Sequence, residues 1–169
     1  ALNRALEHSG IKVHRNFRVS DVRPGAVVND RQEAIELDEI LWATQAAAPV
    51  WFRSSGLAVD ENGFMAVDAT LQSISHAGIF GTGDAASVTD HPRAKSGVFA
   101  VRQGHPLTRN LRRALVGREP LPFSPQRAFL SLIATGPKHA VASRGSWAAT
   151  GQWAWRWKDW IDRRFIRRF

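Results

Sequence analysis

The chain has 169 residues, with 23 Lys and Arg against 15 Asp and Glu, a formal net charge of +8 and a sequence pI near 11.3; such a surplus suggests an acidic partner: nucleic acid, anionic lipid or a phosphate-bearing ligand. At 44% hydrophobic it can bury a core, as one domain or two small ones. The lack of cysteine excludes a thiol nucleophile, a disulfide framework and cysteine metal sites within this chain. No apolar run approaches the ~20 residues that span a bilayer, and no signal peptide is visible. The first residue is Ala1, inside a helical pattern, which reads as a piece of a longer protein; the composition is compatible with the cytoplasm.

Leu2, Ala5, Leu6 and Ser9 keep helical spacing, and Gly10 stands at the stop. Ile11 to His14 alternates as a strand. Phe17 to Val22, Ala26 to Val28 and Ala34 to Leu37 read as short strands around turns at Arg23-Pro24-Gly25 and Asn29-Asp30, a small antiparallel meander. Ile40 to Ala43 reads as a buried parallel strand. Ala46 to Ser55 is a linker or a helical turn around Pro49. Leu57 to Val67 reads as a strand, an Asn62-Gly63 hairpin turn and a returning strand. Val98 to Val116 is a helix whose apolar face is Val98, Val101, Leu107, Leu111 and Leu115, with Pro106 an uncomfortable interior residue and Gly117 the stop. A Pro-rich stretch, Arg118 to Gln126, marks a boundary. Phe129 to Ile133 and His139 to Ser143 are strands joined by Thr135-Gly136-Pro137, Gly145 to Gly151 is a turn, and Trp153 to Phe169 is a last helix.

Between these elements lies Thr70 to Asp84, in which Ile79 and Phe80 run into Gly81-Thr82-Gly83 and a carboxylate. A buried strand ending this way brings backbone close to a ligand and leaves an acceptor pointing at it. Open α/β sheets bind ligands at the carboxyl ends of their strands. The same residues also fit a glycine turn with Asp84 as N-cap of a helix beginning at Ala85.

With Leu41-Trp42-Ala43-Thr44, Ile79 to Asp84 and Lys95-Ser96-Gly97-Val98 in view, the chain resembles the carboxy-terminal half of a two-dinucleotide-binding-domain flavoprotein. The family is the pyridine nucleotide-disulfide oxidoreductases, nearest to type II NADH dehydrogenases and sulfide:quinone reductases. Trp155 to Phe165 and Phe129 to Ile133 are most similar to the NADH-dehydrogenase-like module fused to bacterial selenide, water dikinase. The resemblance implies an α/β chain, a truncated FAD/NAD(P)-binding fold with a small α+β carboxy-terminal region. Residues 1–45 would be the second half of the NAD(P)H domain, 46–118 the end of the FAD domain and 119–169 an interface or membrane-contact region.

By the same resemblance, Gly83 and Asp84 match the pair whose carboxylate accepts hydrogen bonds from the FAD ribitol. Ala43-Thr44 matches the strand returning from the NAD(P)H domain, with Gln45 where the family has glycine. Lys95 and Gly97 match a Lys-x-Gly near the flavin pyrimidine; a cation and the helix-terminal amides of Ser96, Gly97 and Val98 would stabilise negative charge at the N1–O2 edge. The implied activity is electron transfer from NAD(P)H, as co-substrate, through FAD to a quinone or other acceptor. No G-x-G-x-x-G follows a strand, so the chain alone is expected to bind FAD weakly and to be inactive.

Other chemistry is poorly supported. None of His8, His14, His76, His91, His105 and His139 is spaced as a metal pair. Ser96 and Ser131 lack a glycine elbow. Asp68 reads as a strand-end residue without chemistry. The tail is sharper: Trp153, Trp157, Ile161, Phe165 and Phe169 recur every four residues with Trp160 beside them, and Arg156, Lys158, Arg163, Arg164, Arg167 and Arg168 fall mostly off that stripe. This is the composition of an interfacial helix at an anionic surface. It suits still better a helix packed on its own domain, on a second subunit of a homodimer or on a fusion partner. Nucleic acid is disfavoured, because no fold for groove entry is recognisable. A non-catalytic docking module built on this tail is the alternative to the enzyme.

Overall fold

A computed structural model describes residues 1–126 and 129–167; Arg168 and Phe169, expected at the end of the tail helix, lie outside them. The elements are α1 (Leu2–His8), β1 (Val19–Arg23), β2 (Ala26–Asn29), β3 (Ala34–Glu36), α2 (Trp51–Ser54), β4 (Met65–Val67), β5 (Ala86–Val88), α3 (Gly97–Leu115), β6 (Ser131–Gly136), β7 (His139–Arg144), β8 (Trp147–Gly151) and α4 (Gln152–Ile166). They form two compact units. One holds Ala1–Trp42 and the described residues from 129 onward; the other holds the described residues from Ala43 to 126.

In the first unit α1 stops as its sequence predicts, with Gly10 at φ +70°. β1, β2 and β3 form the antiparallel meander, β2 in the centre with Val27 and Val28 buried. The Asn29 side chain builds the second turn: its Oδ1 accepts from the Arg31 and Glu33 amides at 2.9 Å, and its Nδ2 donates to Glu33 Oε2 at 2.7 Å. Ile11 to His14 is not a strand; no ladder partner lies beside it among the described residues, and Ile11 and Val13 are exposed. β6, β7 and β8 form a second antiparallel sheet. Residues 147–151, read as a turn, are thus its third strand; the turn is confined to Arg144 to Trp147, with Gly145 at φ +59°. α4 packs on β7 through Ala154, Ala140 and Ala142, all fully buried, and alanine at each point lets helix and sheet approach closely.

In the second unit β4 and β5 run parallel, Met65 opposite Ala86 and Val67 opposite Val88. Their side chains join Phe52 of α2, Leu57 and Leu71 in the core, with Leu107 and Phe123 against it. The expected hairpin turn is present: Asp60 caps it, its Oδ1 accepting from the Asn62 and Phe64 amides, and Gly63 takes φ +87°. The first arm of that hairpin, after Leu57, is a single bridge from Val59 to Met65 and not a strand. Two further expected strands, one in each unit, are absent. Ile40 to Ala43 is irregular and Leu41 is 94% exposed, because no neighbouring strand covers it among the described residues. Ile79 and Phe80 do not form a buried strand. Ser73 N donates to Ile79 O (2.8 Å) and Gly81 N to Leu71 O (2.9 Å), an antiparallel pairing with the Leu71–Ser73 stretch; the Ile79 amide turns back to the His76 carbonyl (3.4 Å), and Ile79 is 40% exposed.

α3 also differs from its reading. It runs through Pro106 to Leu115 and stops before Gly117, as predicted, but its buried face is Phe99, Gln103 and Asn110, with Leu107 half-buried. Val98, Val101, Leu111 and Leu115, expected on the core, are exposed. The helix is rotated so that two amides face inward, each with a backbone partner. α4 is rotated likewise: its small face packs, and the aromatic stripe stays outside.

Candidate functional site

The glycines before Asp84 act first on packing. A Cβ on Gly81 would stand 2.1 Å from Met65 Cε and 3.2 Å from Ala86 Cβ, inside the β4–β5 core. Gly83 has φ +63°, and a Cβ there would lie 3.3 Å from Ala100 Cβ on α3. The absence of side chains therefore lets the turn settle onto β4, β5 and α3. Residues 83–85 form a single 3-10 turn and β5 follows at Ala86, so no helix starts at Ala85. Asp84 stands before the amino end of β5 rather than at a strand's carboxyl end.

Asp84 is exposed and enters none of the described ion pairs. The backbone beside it is fixed by Gln103, a buried α3 residue whose Oε1 accepts from the Gly83 amide at 2.6 Å. Two hollows meet at this point. A small one, of about 20 Å³, is lined by Gly83, Asp84, Lys95, Ser96 and Gln103 among others, room for one water. An open cleft of about 1180 Å³ lies on the other side, lined by residues 44–48, 60–62, Phe64, Asp84 and 92–95. Asp84 and Lys95 belong to both.

Lys95 lies with Nζ 3.9 Å from the centre of the Phe64 ring and donates to the Ala86 carbonyl. Partial burial pulls its pKa below the ordinary lysine value of 10.5, while Asp60 and Asp84 oppose the shift. The charged form is thus disfavoured in the folded chain, the unfolded chain binds more protons just below pH 10.5, and stability rises with pH in that window. Lys95→Met is expected to remove this rise, read as the urea midpoint between neutral pH and about pH 10; an unchanged slope refutes it.

Ser96 is the extended N-cap residue of α3, yet its Oγ makes no capping bond; the oxygen is buried and without a hydrogen-bond partner. The Ser96 carbonyl takes the amides of Phe99 and Ala100. Gly97 and Val98, the first two residues of the helix, are exposed and line neither hollow. The structure thus brings Gly83, Asp84, Lys95 and Ser96 around one point and leaves Gly97 and Val98 just outside it. Thr44 and Gln45 line the cleft.

Sequence reasoning reaches Thr44 and Gln45 but misses Gln103 and the cleft residues Ala46 to Ala48, Asp60 to Asn62 and Phe64. The signal for Gln103 is its place four residues after Phe99 and four before Leu107, an amide on what proves the buried face. Asp68 is not idle. Its Oδ1 accepts from the Thr70 and Gln72 amides and the Thr70 hydroxyl, holding Leu71 at φ +68° inside the core. His76 and His139 are engaged locally, with Ser75 and Thr135, and no group of metal-binding residues occurs among the described ones.

The model of the family described as pyridine nucleotide-disulphide oxidoreductase matches residues 1–104. The structure is similar to that of the sulfide:quinone oxidoreductase from the hyperthermophilic bacterium Aquifex aeolicus, with a TM-score of 0.75 and 16% sequence identity over 98% of this chain. This chain spans 43% of that one. At such identity the likeness is one of fold. The family match extends over more than half of the residues, and the chain belongs to the pyridine nucleotide-disulphide oxidoreductase family.

Proposed function

We propose that the chain is part of an FAD-dependent oxidoreductase that passes electrons from NAD(P)H through the flavin to an acceptor such as a quinone. The supporting observation is the meeting of Asp84 and Lys95 at the rim of the cleft, with Ser96, the residue before α3, in the small hollow beside them. The donor set fits the ribitol and pyrimidine parts of a flavin. Asp84 offers an exposed carboxylate to hydroxyl donors. Ser96 has a buried oxygen wanting a partner. Lys95 and the Gly97 and Val98 amides, which a helix leaves unpaired at its start, offset negative charge. Bound flavin supplies hydride acceptance and onward electron transfer. The chain's own residues orient it, and Gln103 keeps the turn bearing Asp84 against α3.

In this reading residues 1–45 belong to the NAD(P)H domain, 46–118 to the FAD domain and 119–169 to an interface. The glycine-rich pyrophosphate fingerprints come from outside this chain, so the isolated chain binds FAD weakly. The test uses the intact polypeptide. Asp84→Ala is expected to lower flavin occupancy at least about tenfold, the loss of a charge-assisted bond or two, with unchanged far-ultraviolet circular dichroism because Asp84 is exposed. A colourless parent protein that cannot be reconstituted with FAD overturns the proposal.

A second reading, a docking module, is favoured by the tail. Trp147 and Trp153 lie 6.4 Å apart, Trp153 and Trp157 stack at 6.3 Å, and Trp160 carries Arg164 over its ring at 5.6 Å, all on the exposed side. No helix among the described residues is long and apolar enough to cross a membrane. Peripheral contact with an anionic bilayer is one use of this stripe; a second copy or a fused selenide, water dikinase is another. Pelleting with anionic liposomes is expected to fall at least about fivefold in Trp153→Ala/Trp157→Ala, since each ring adds about 1–2 kcal/mol of interfacial burial. Equal pelleting of both proteins removes the membrane arm.

A further inference from the structure

The carboxyl half of α3 carries a basic groove that the flavin reading does not use. From His91 to Arg118 the sequence holds no Asp or Glu, but it holds Arg93, Lys95, Arg102, Arg109, Arg112, Arg113 and Arg118. α4 is built differently: there Lys158 contacts Asp162, and Arg163 donates to Asp159 at 2.8 Å, the ordinary four-residue pairing of a solvated helix. No arginine of α3 enters a described ion pair.

Local backbone geometry gathers these charges. Gly117 adopts φ +69° and turns the chain back, the Arg118 amide donates to the Arg113 carbonyl at 2.8 Å, and Arg113 Nε is tied to the Glu119 carbonyl at 2.6 Å. Arg118 is thereby placed beside the last turns of α3. The result is an open groove of about 590 Å³ lined by His105, Arg109, Arg112, Arg113 and Arg118, with Val116 also in the wall. Attraction to the helix carboxyl end accounts for cations in the last turn. It does not account for Arg109, six residues before the helix ends at Leu115, or for Arg118, beyond the helix.

We propose that this groove binds a small molecule bearing two or more phosphate groups. Guanidinium forks match phosphate oxygens bidentately, and four of them around one concavity repel each other until an anion arrives. The groove's size suits a diphosphate or nucleotide rather than a lone ion. No Phe or Trp is among its lining residues and His105 is the single ring there, so recognition rests chiefly on the phosphates. The site is independent of the flavin assignment and lies on residues outside it.

The experiment is a calorimetric titration of the intact protein with inorganic pyrophosphate, and with sulfate at matched ionic strength. The comparison variants are Arg109→Gln/Arg112→Gln and, on α4, Arg163→Gln/Arg164→Gln. Pyrophosphate is expected to bind at least about tenfold tighter than sulfate, and to weaken about tenfold or more in the α3 variant only. Circular dichroism is expected to be unchanged, since Arg109 and Arg112 are exposed. Equal affinity for the two anions, or equal loss in both variants, overturns the proposal. So does tighter binding of single-stranded RNA or of an acidic peptide that depends on the same two arginines, because the occupant is then a macromolecule.

Discussion

Replacing Asn110 by alanine is expected to cost about 3–5 kcal/mol of stability, the largest single effect of any polar residue here. Asn110 is fully buried in α3 and uses its whole amide. Nδ2 donates to the carbonyls of Thr70 and Leu121, each at 2.8 Å, and Oδ1 accepts from the Leu121 amide at 2.9 Å. Three segments far apart in sequence are tied at one point: the helix, the turn held by Asp68 and the Pro-rich stretch after Gly117. Truncation removes three bonds and leaves the Thr70 carbonyl and both Leu121 backbone groups, all in part-buried contacts, without that partner; unsatisfied groups are what make such losses large. Asn110→Leu fills the volume but satisfies none of them, so it is expected to be no better than alanine. Urea unfolding of the three proteins checks this; a loss under about 1 kcal/mol refutes the account.

The second expected result concerns Gly81. Gly81→Ala should lower stability by about 1–3 kcal/mol, the range for overpacking a filled core, and Gly81→Val by more. The new Cβ would sit 2.1 Å from Met65 Cε, and Met65 is itself buried, so its end must leave a packed site. Ala86 Cβ at 3.2 Å and Val67 Cγ1 at 3.4 Å close the remaining sides. Removing the obstructing atom should relieve part of the clash, so the cost of Gly81→Ala is expected to shrink in a Met65→Val background, measured as a double-mutant cycle. Additive losses would mean that Met65 is not the obstacle. The result bears on function because Gly81 leads into the turn that carries Asp84.

Glycine between Ile79 and Asp84 invites a reading as ligand approach or as a plain turn. At Gly81 and Gly83 the nearest atoms are instead those of Met65, Ala86, Val67 and Ala100. Both readings need an absent side chain, and a sequence does not say what fills the space. The same limit applies to α3. Apolar spacing favours Val98, Val101, Leu111 and Leu115 as the inner face, whereas Gln103 and Asn110 lie inside. A buried amide is stabilised by carbonyls and amides 11 to 40 residues away, and periodicity within the helix carries no trace of them.

By itself the sequence determined what depends on near neighbours. Turns at Gly25, Asn29, Gly63 and Gly145, helix stops at Gly10 and Gly117, the antiparallel meander and the four-residue aromatic stripe of the tail are set by backbone sterics and side chains a few residues apart. Only the tertiary structure decided which apolar runs found a partner. Met65–Val67 pairs with Ala86–Val88, while Leu41 and Ile79 remain exposed. It also decided that Asp84, Lys95 and Ser96 converge on one small hollow, the first two lining the open cleft as well, and that four arginines converge on a separate groove. Burial and convergence depend on surfaces brought together across long loops, and the free energy that selects them is shared among residues no short window contains.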